Sequence, residues 1–288
     1  MRNSTSLTIA DFTLKLSSEA AIILEEGYLS FVRDDIATEP DITVECISGI
    51  PSVSFQWYDL VFEAKNETQK FYSIYRSGTD LGFILYNQKN IDEIQQLALL
   101  DKTFSHWKVY SNPEPDGSLI PLRYPLGPII MYYLTVNSPA VLIHASCIFD
   151  GVKGRIFTGF SGNGKSTMSK IWTDAGNQVI NDDRLIIRKN DNGFFVYNTP
   201  MYYSDQPKKA PLHAIHLISH SPVNKIKKQF GALALSKVMA FCIQNNYNKE
   251  FINNHLDFLS DLCNQVPVYE LGFVPDSGIV NFVLANES

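Results

Sequence analysis

One stretch constrains this chain more than any other. Gly159-Phe160-Ser161-Gly162-Asn163-Gly164-Lys165-Ser166-Thr167 satisfies every fixed position of G-x-x-x-x-G-K-[ST], the pattern of a loop that cradles nucleotide phosphates. Each fixed position has a physical reason. The glycines let the backbone curl until several N–H groups converge, which makes a concave nest for anionic oxygens. Lys165 brings a point charge toward the β- and γ-phosphates, and the Ser166 hydroxyl can ligate Mg²⁺. The expected binding set is therefore Gly159, Ser161, Gly162, Asn163, Gly164, Lys165, Ser166 and Thr167. The flanks agree: residues 155–158 read as a short strand, and 166–172 as a helix whose N-terminus would face the phosphates.

The bulk numbers bound what surrounds this loop. The 288 residues suffice for one large domain or two of moderate size, and 45% hydrophobic with 19% charged residues is an ordinary globular balance. A formal net charge of −6, with no dense run of Lys or Arg, argues against nucleic acid or an anionic membrane as partner. No apolar run approaches the ~20 residues that span a bilayer. The first residues lead into alternation and show no apolar block of the signal-peptide kind. Cys46, Cys147, Cys242 and Cys263 stand far apart, so scattered buried thiols are expected and not a zinc site or disulfide framework. A soluble protein of a reducing, cytoplasmic compartment is the expectation.

Residues 1–115 read as a β-rich region of unassigned role and 116–288 as a nucleotide-binding domain, with a soft boundary in the Pro/Gly-punctuated link at 111–120. Within the first region, 7–16, 41–47, 70–76 and 81–86 alternate as strands, with a turn at 77–80. Residues 90–100 read as a helix, with Ile91, Ile94, Leu97 and Ala98 on one face. Residues 126–136 read as a short buried helix beside the nucleotide-binding core. Residues 141–149 read as one strand, and a turn at 150–154 returns it into the strand feeding the loop. That entry is antiparallel, unlike the βαβ layout of many phosphate-loop proteins. A strand at 178–183, a second hairpin from 185–188 and 194–197, and a strand at 213–220 follow. Helices at 233–244 and 251–264, a strand at 266–273, and a final strand or short helix at 278–284 complete the chain.

Two groups of residues near the loop carry possible chemistry. Asp182 and Asp183 follow Lys165 by 17 and 18 positions, room for one helix, a turn and a returning strand. One carboxylate suits Mg²⁺ together with Ser166, and the other suits the proton of an attacking hydroxyl. Neighbours on a strand face opposite sides, so one acid stands behind the other; a solvated Asn-Asp-Asp turn is the plain alternative. His144, among apolar neighbours, is either a satisfied core histidine or a group that touches a phosphate or orients an acid. Strand alternation turns His213 away from His216 and His220, so these three read as structural. Lys208, Lys209, Lys225, Lys227 and Lys228 read as solvated positive faces.

His144-Ala145-Ser146, the loop from Gly159 to Ser166, and Asn181-Asp182-Asp183, in this order and spacing, resemble the catalytic domain of HPr kinase/phosphorylase and its bacterial relatives. The resemblance spans roughly residues 140–200 and thins toward 285, where Pro267-Val268-Tyr269-Glu270-Leu271 is similar to the relatives' closing strand. It implies an α/β (α+β) phosphoenolpyruvate-carboxykinase-like fold, a mixed sheet with a phosphate loop. It also implies a kinase that uses ATP and Mg²⁺ to phosphorylate a hydroxyl, such as a serine of a protein or peptide. The catalytic set would be His144, Lys165, Asp182 and Asp183, with Ser166 and Asp182 on the metal. The acceptor stays open between protein, peptide and small molecule, and a homo-oligomer is compatible. One departure matters: Thr199-Pro200-Met201-Tyr202-Tyr203-Ser204-Asp205 contains no Glu, unlike members that act on HPr, and Asp205 is the acid available there. That departure motivates a second reading, a catalytically silent ATP-binding regulator or scaffold.

Overall fold

The computed structural model describes residues 3–34, 39–52, 58–90, 93–200, 206, 208–244 and 247–287. Ile91, residues 201–205 with Asp205, and Asn245 with Asn246 lie outside them. The chain divides into two compact units. One holds the residues up to Leu134, with Pro200 and Gln206; the other holds Thr135–Thr199 and the described residues from Lys208 onward.

The first unit is built on a nine-stranded mixed sheet. Its elements are β1 (Asn3–Ile9), β2 (Phe12–Ser18), α1 (Glu26–Leu29), β3 (Val32–Arg33), β4 (Ile42–Ser48), β5 (Asp59–Lys65), β6 (Lys70–Ser77), β7 (Asp80–Tyr86), β8 (Ile94–Leu100), β9 (His106–Ser111) and α2 (Leu126–Val136). The strand order is β3-β1-β2-β4-β9-β8-β7-β6-β5, parallel at β2/β4 and β4/β9 and antiparallel elsewhere. The expected single strand at 7–16 is a hairpin turning on Ala10 and Asp11, both with positive φ (51° and 60°). The inward set Leu7, Ile9, Phe12, Leu14, Leu16 shifts parity at that turn, which is the mark of two strands joined by a two-residue loop.

The expected helix at 90–100 is also corrected. Over its described residues the segment is strand β8, hydrogen-bonded between β7 and β9. Leu97, Ala98 and Leu100 are all buried, so an interior strand here shows a continuous apolar run that mimics helical spacing. Helix α2 has the expected span but belongs, up to Leu134, to the first unit and not to the second. Its Tyr133 meets Phe83 and Trp107 edge-on, at 5.7 and 5.4 Å, which anchors it on the first sheet.

The second unit is a sheet with helices on both faces. It comprises β10 (Ala140–His144), β11 (Ser146–Phe149), β12 (Gly154–Thr158), α3 (Lys165–Asp174), β13 (Gln178–Asn181), β14 (Arg184–Asn190), β15 (Gly193–Asn198), β16 (Lys209–His220), β17 (Lys225–Gln229), α4 (Gly231–Met239), α5 (Lys249–Gln265), β18 (Val268–Phe273) and α6 (Gly278–Asn286). The order β10-β14-β15-β16-β12-β11-β13 is extended by β18 beside β16 and β17 beside β18. β11 and β12 pair antiparallel across the turn at 150–153, so the strand before the loop arrives by hairpin as expected. The expected continuous strand 141–149 is instead broken at Ala145, whose N–H bonds the Asp183 carbonyl at 3.0 Å. β10 thus pairs with β14 while β11 pairs with β12 and β13.

Apolar periodicity explains the layers. Met168 and Trp172 of α3, with Ile279, Val280 and Val283 of α6, pack on Phe157, Ile218 and Leu271. On the other face Ala234 and Val238 of α4 and Phe258, Leu259 and Leu262 of α5 cover Ile156, Ile215, Leu217 and Val268. The final segment is helical. Three of the four cysteines are buried and all are free, matching the expected scattered thiols. No helix among the described residues is long and apolar enough to cross a membrane.

One strand departs from the alternation assumed for it. The β12/β16 register slips between Gly154 and Arg155, opposite Leu212 and Ala214, leaving His213 in a bulge. Parity changes there, so His213 and His216 both face Glu287, at 3.5 and 3.1 Å, and His213 does not turn away from His216.

Candidate functional site

The loop between β12 and α3 is shaped by close packing. Gly162 and Gly164 have φ of 85° and 91°, the left-handed region where a side chain is strained. Gly164 is also crowded: an added Cβ would lie 2.7 Å from the Phe273 ring. At Gly159 such a Cβ would lie 2.8 Å from the Ile218 carbonyl of β16. Two side-chain ties hold the loop on that strand: the Asn163 amide donates to the Ile218 carbonyl at 2.9 Å, and His220 Nε2 lies 3.1 Å from the Gly162 carbonyl. No side chain caps α3, so the N–H groups of its first turn remain available to an anion. Ser161, Ser166 and Thr167 are exposed at this end of the loop and helix.

Lys165 is buried, and its ammonium donates to the Gly159 carbonyl at 2.9 Å and the Phe160 carbonyl at 3.5 Å. Burial lowers its pKa, opposed by the charge of Asp183. His144 reaches the same place through backbone bonds. Its carbonyl accepts from the Thr158 hydroxyl at 2.7 Å, and its N–H donates to the Phe241 carbonyl at 2.9 Å. Its imidazole is half-exposed, with Nε2 3.7 Å from Asp183 Oδ1. Burial and then Lys165 push the His144 pKa below 6.5, against the opposing pull of Asp183, so the ring is neutral at pH 7.

Asp183 sits where β13 turns into β14, its N–H donating to the Asn181 side chain at 2.9 Å. Buried Asn181 in turn donates to the Thr199 carbonyl, and the Thr199 hydroxyl donates to the Arg184 carbonyl at 2.8 Å. Asp182 is half-buried and follows Asn181 directly at the end of β13.

Arg184 is a residue the sequence reading did not single out. It lies directly across from His144 in the β10/β14 register and adds to the field on that imidazole. Among the described residues its buried Nη1 has no hydrogen-bond partner, an orphan donor beside Lys165 and His144. The fold therefore gathers Lys165, His144, Asp183 and Arg184 behind an uncapped helix.

Among the described residues no group of three or more His, Cys, Asp or Glu forms a ready metal cage. A hydroxyl and one or two carboxylates, completed by water and phosphate oxygens, is nevertheless a donor set that suits Mg²⁺.

No protein-family model matches the chain, and no curated protein matches it. Among solved structures, the HPr(Ser) kinase/phosphatase from Coxiella burnetii is similar over 50% of this chain and 94% of its own, at 12% identity and a TM-score of 0.31. Likeness of that degree carries no argument about function.

Proposed function

We propose that the second unit is an ATP-dependent phosphotransferase acting on a hydroxyl. The observation that supports this reading is the convergence of Lys165, His144, Asp183 and Arg184 at the glycine loop. In this reading the loop and the first turn of α3 receive the phosphates on backbone N–H groups, and Lys165 leaves the Gly159 and Phe160 carbonyls for the β- and γ-oxygens. Ser166 and Asp182 would hold Mg²⁺, which when bound neutralises charge on the phosphate oxygens. The acceptor oxygen bonds to the γ-phosphorus as the bond to the bridging oxygen breaks and ADP leaves. The hydroxyl proton passes to the Asp183 carboxylate, which neutral His144 orients. Arg184 offers its free guanidinium donor to the charge that spreads over the transferred oxygens.

The test is calorimetry with MgATP, followed by transfer from γ-labelled ATP to serine peptides and small alcohols. Binding with a dissociation constant in the micromolar range, and label transfer lost in Lys165→Ala, is the expected result. Binding without transfer across the panel would favour the silent regulator, the reading motivated by the absence of Glu from residues 199–205.

A further inference from the structure

Beside the glycine loop, within the second unit, lies a cavity of about 880 Å³. Its floor is one face of the sheet. Register aligns Leu217, Glu270 and Lys227 in one row across β16, β18 and β17, and Ser219, Gly272 and Lys225 in the next. Two positions apart on each strand, these rows present the same side. The absence of a side chain at Gly272 makes room for Lys225, since an added Cβ would lie 2.8 Å from its Cε. One wall is the loop, at Gly159 and Phe160; the other is the end of α4, at Lys237 and Phe241. Phe160 and Phe241 face each other edge-on at 5.2 Å, which gives the cavity an apolar rim.

The charges in the cavity do not balance. Glu270 is ion-paired with Lys237. Lys225 and Lys227 are exposed and have no acidic partner among the described residues. Two of the lysines read from sequence as a solvated positive face, Lys225 and Lys227, thus line a concave site as uncompensated ammonium groups.

Its position relative to the transfer chemistry is informative. The Lys165 ammonium, which the motif directs to the β- and γ-phosphates, rests on the carbonyls of the two residues that form the loop wall. The opposite wall residue, Phe241, accepts the backbone N–H of His144. The cavity therefore adjoins the end of the loop from which a γ-phosphoryl would depart.

We infer that this cavity seats the acceptor, and that the acceptor is a small molecule carrying a carboxylate or phosphate beside the hydroxyl that is phosphorylated. The inference rests on the phosphotransferase reading above. The volume falls in the range of small-ligand sites, roughly 300–1,000 Å³. Lys225 and Lys227 would hold the anionic group, and the Phe160–Phe241 rim would cover the carbon skeleton. The hydroxyl would then face Lys165 and His144, and its proton would go to Asp183 as described.

The test uses the full chain, MgATP labelled at the γ-position, and matched acceptors: glycerol against D-glycerate and glycerol 3-phosphate, L-serinamide against L-serine, and a blocked neutral serine peptide. We expect at least one anionic member to exceed its uncharged or cationic counterpart by about tenfold or more in kcat/KM. Lys225→Ala/Lys227→Ala should raise the KM for that acceptor by about tenfold with a smaller change in kcat, and Lys227→Arg should keep it near wild type. The inference is overturned if the peptide or the counterparts accept equally well, if the double variant leaves the acceptor KM unchanged, or if MgATP binds and no panel member accepts. Failure of wild-type protein to bind MgATP instead removes the phosphotransferase reading itself.

Discussion

Two charged clusters border β12, and they are built on opposite plans. At its start Arg155 donates from Nε to both oxygens of Glu287, at 2.9 and 2.7 Å, and from Nη1 to Asp150 at 2.6 Å. The Arg155 and Glu287 side chains are only 4% and 3% exposed, with the Trp172 ring 5.5 Å from the guanidinium and His216 against the carboxylate. Beyond the other end of the strand, His144 and Asp183 stand 3.7 Å apart and half-exposed; among the described residues Lys165 bonds loop carbonyls alone and an Arg184 donor has no partner. Buried charges that satisfy one another hold a fold in place and have little left to offer a ligand. Charges gathered without satisfying one another are where a ligand would complete the set.

That contrast can be broken most sharply by mutation at each end. Lys165→Ala and Asp183→Asn should each lower phosphoryl transfer by about 10²–10⁴-fold while shifting unfolding stability by less than about 1 kcal/mol. Transfer assays paired with urea denaturation measure both. Equal losses of stability and activity would erase the distinction.

At the other end Glu287→Ala should cost about 3 kcal/mol, because the buried Arg155 guanidinium keeps Asp150 on Nη1 but loses the partner of its Nε. Replacing both partners, as Arg155→Met/Glu287→Leu, should recover much of that loss in the same urea titration. A single variant no less stable than wild type would mean the pair contributes nothing.

The two clusters should also answer acid differently. Burial would raise the Glu287 pKa, but His216 and Arg155 hold it below 4.5. Its contribution is thus fully present above about 4.5 and is lost as pH falls through the lower folded value. Stability measured from pH 6 to 3 should show this acid limb in wild type and a flatter one in Glu287→Gln. Burial and Lys165 shift the His144 pKa downward, so the acid limb of transfer should lie below that of an ordinary imidazole. A rate that declines from pH 7.5 downward would contradict the neutral ring.

The smallest effect is expected at the tie beneath the site. Thr158→Val removes the hydroxyl that holds the His144 carbonyl, worth about 1 kcal/mol by thermal unfolding.

What could be read in the sequence was local. Helix α2 ends where its apolar run ends, and the turn at 150–153 returns the chain into β12 as its spacing suggests. β8 was not legible, because a strand covered on both faces loses the alternation that identifies it. Arg184 was visible as a neighbour of the acids, yet only its pairing across from His144 gives it a place in the site. Nothing in the chain announces that Arg155 will meet Glu287, 132 positions away.

The sequence by itself determined the glycine loop, since few other residue strings tolerate two left-handed positions and a close approach to β16 while delivering a lysine to a helix start. It also determined the hairpin entry and the position of the acids after a returning strand. Only the tertiary structure decided which charges neutralise one another and which are left free. Strand register and a single bulge bring His213 and His216 to Glu287, Arg184 to His144, and Lys225 and Lys227 to the floor of the cavity. Those meetings depend on pairings between distant strands, and a one-residue shift in any of them would turn the same side chains to the opposite face.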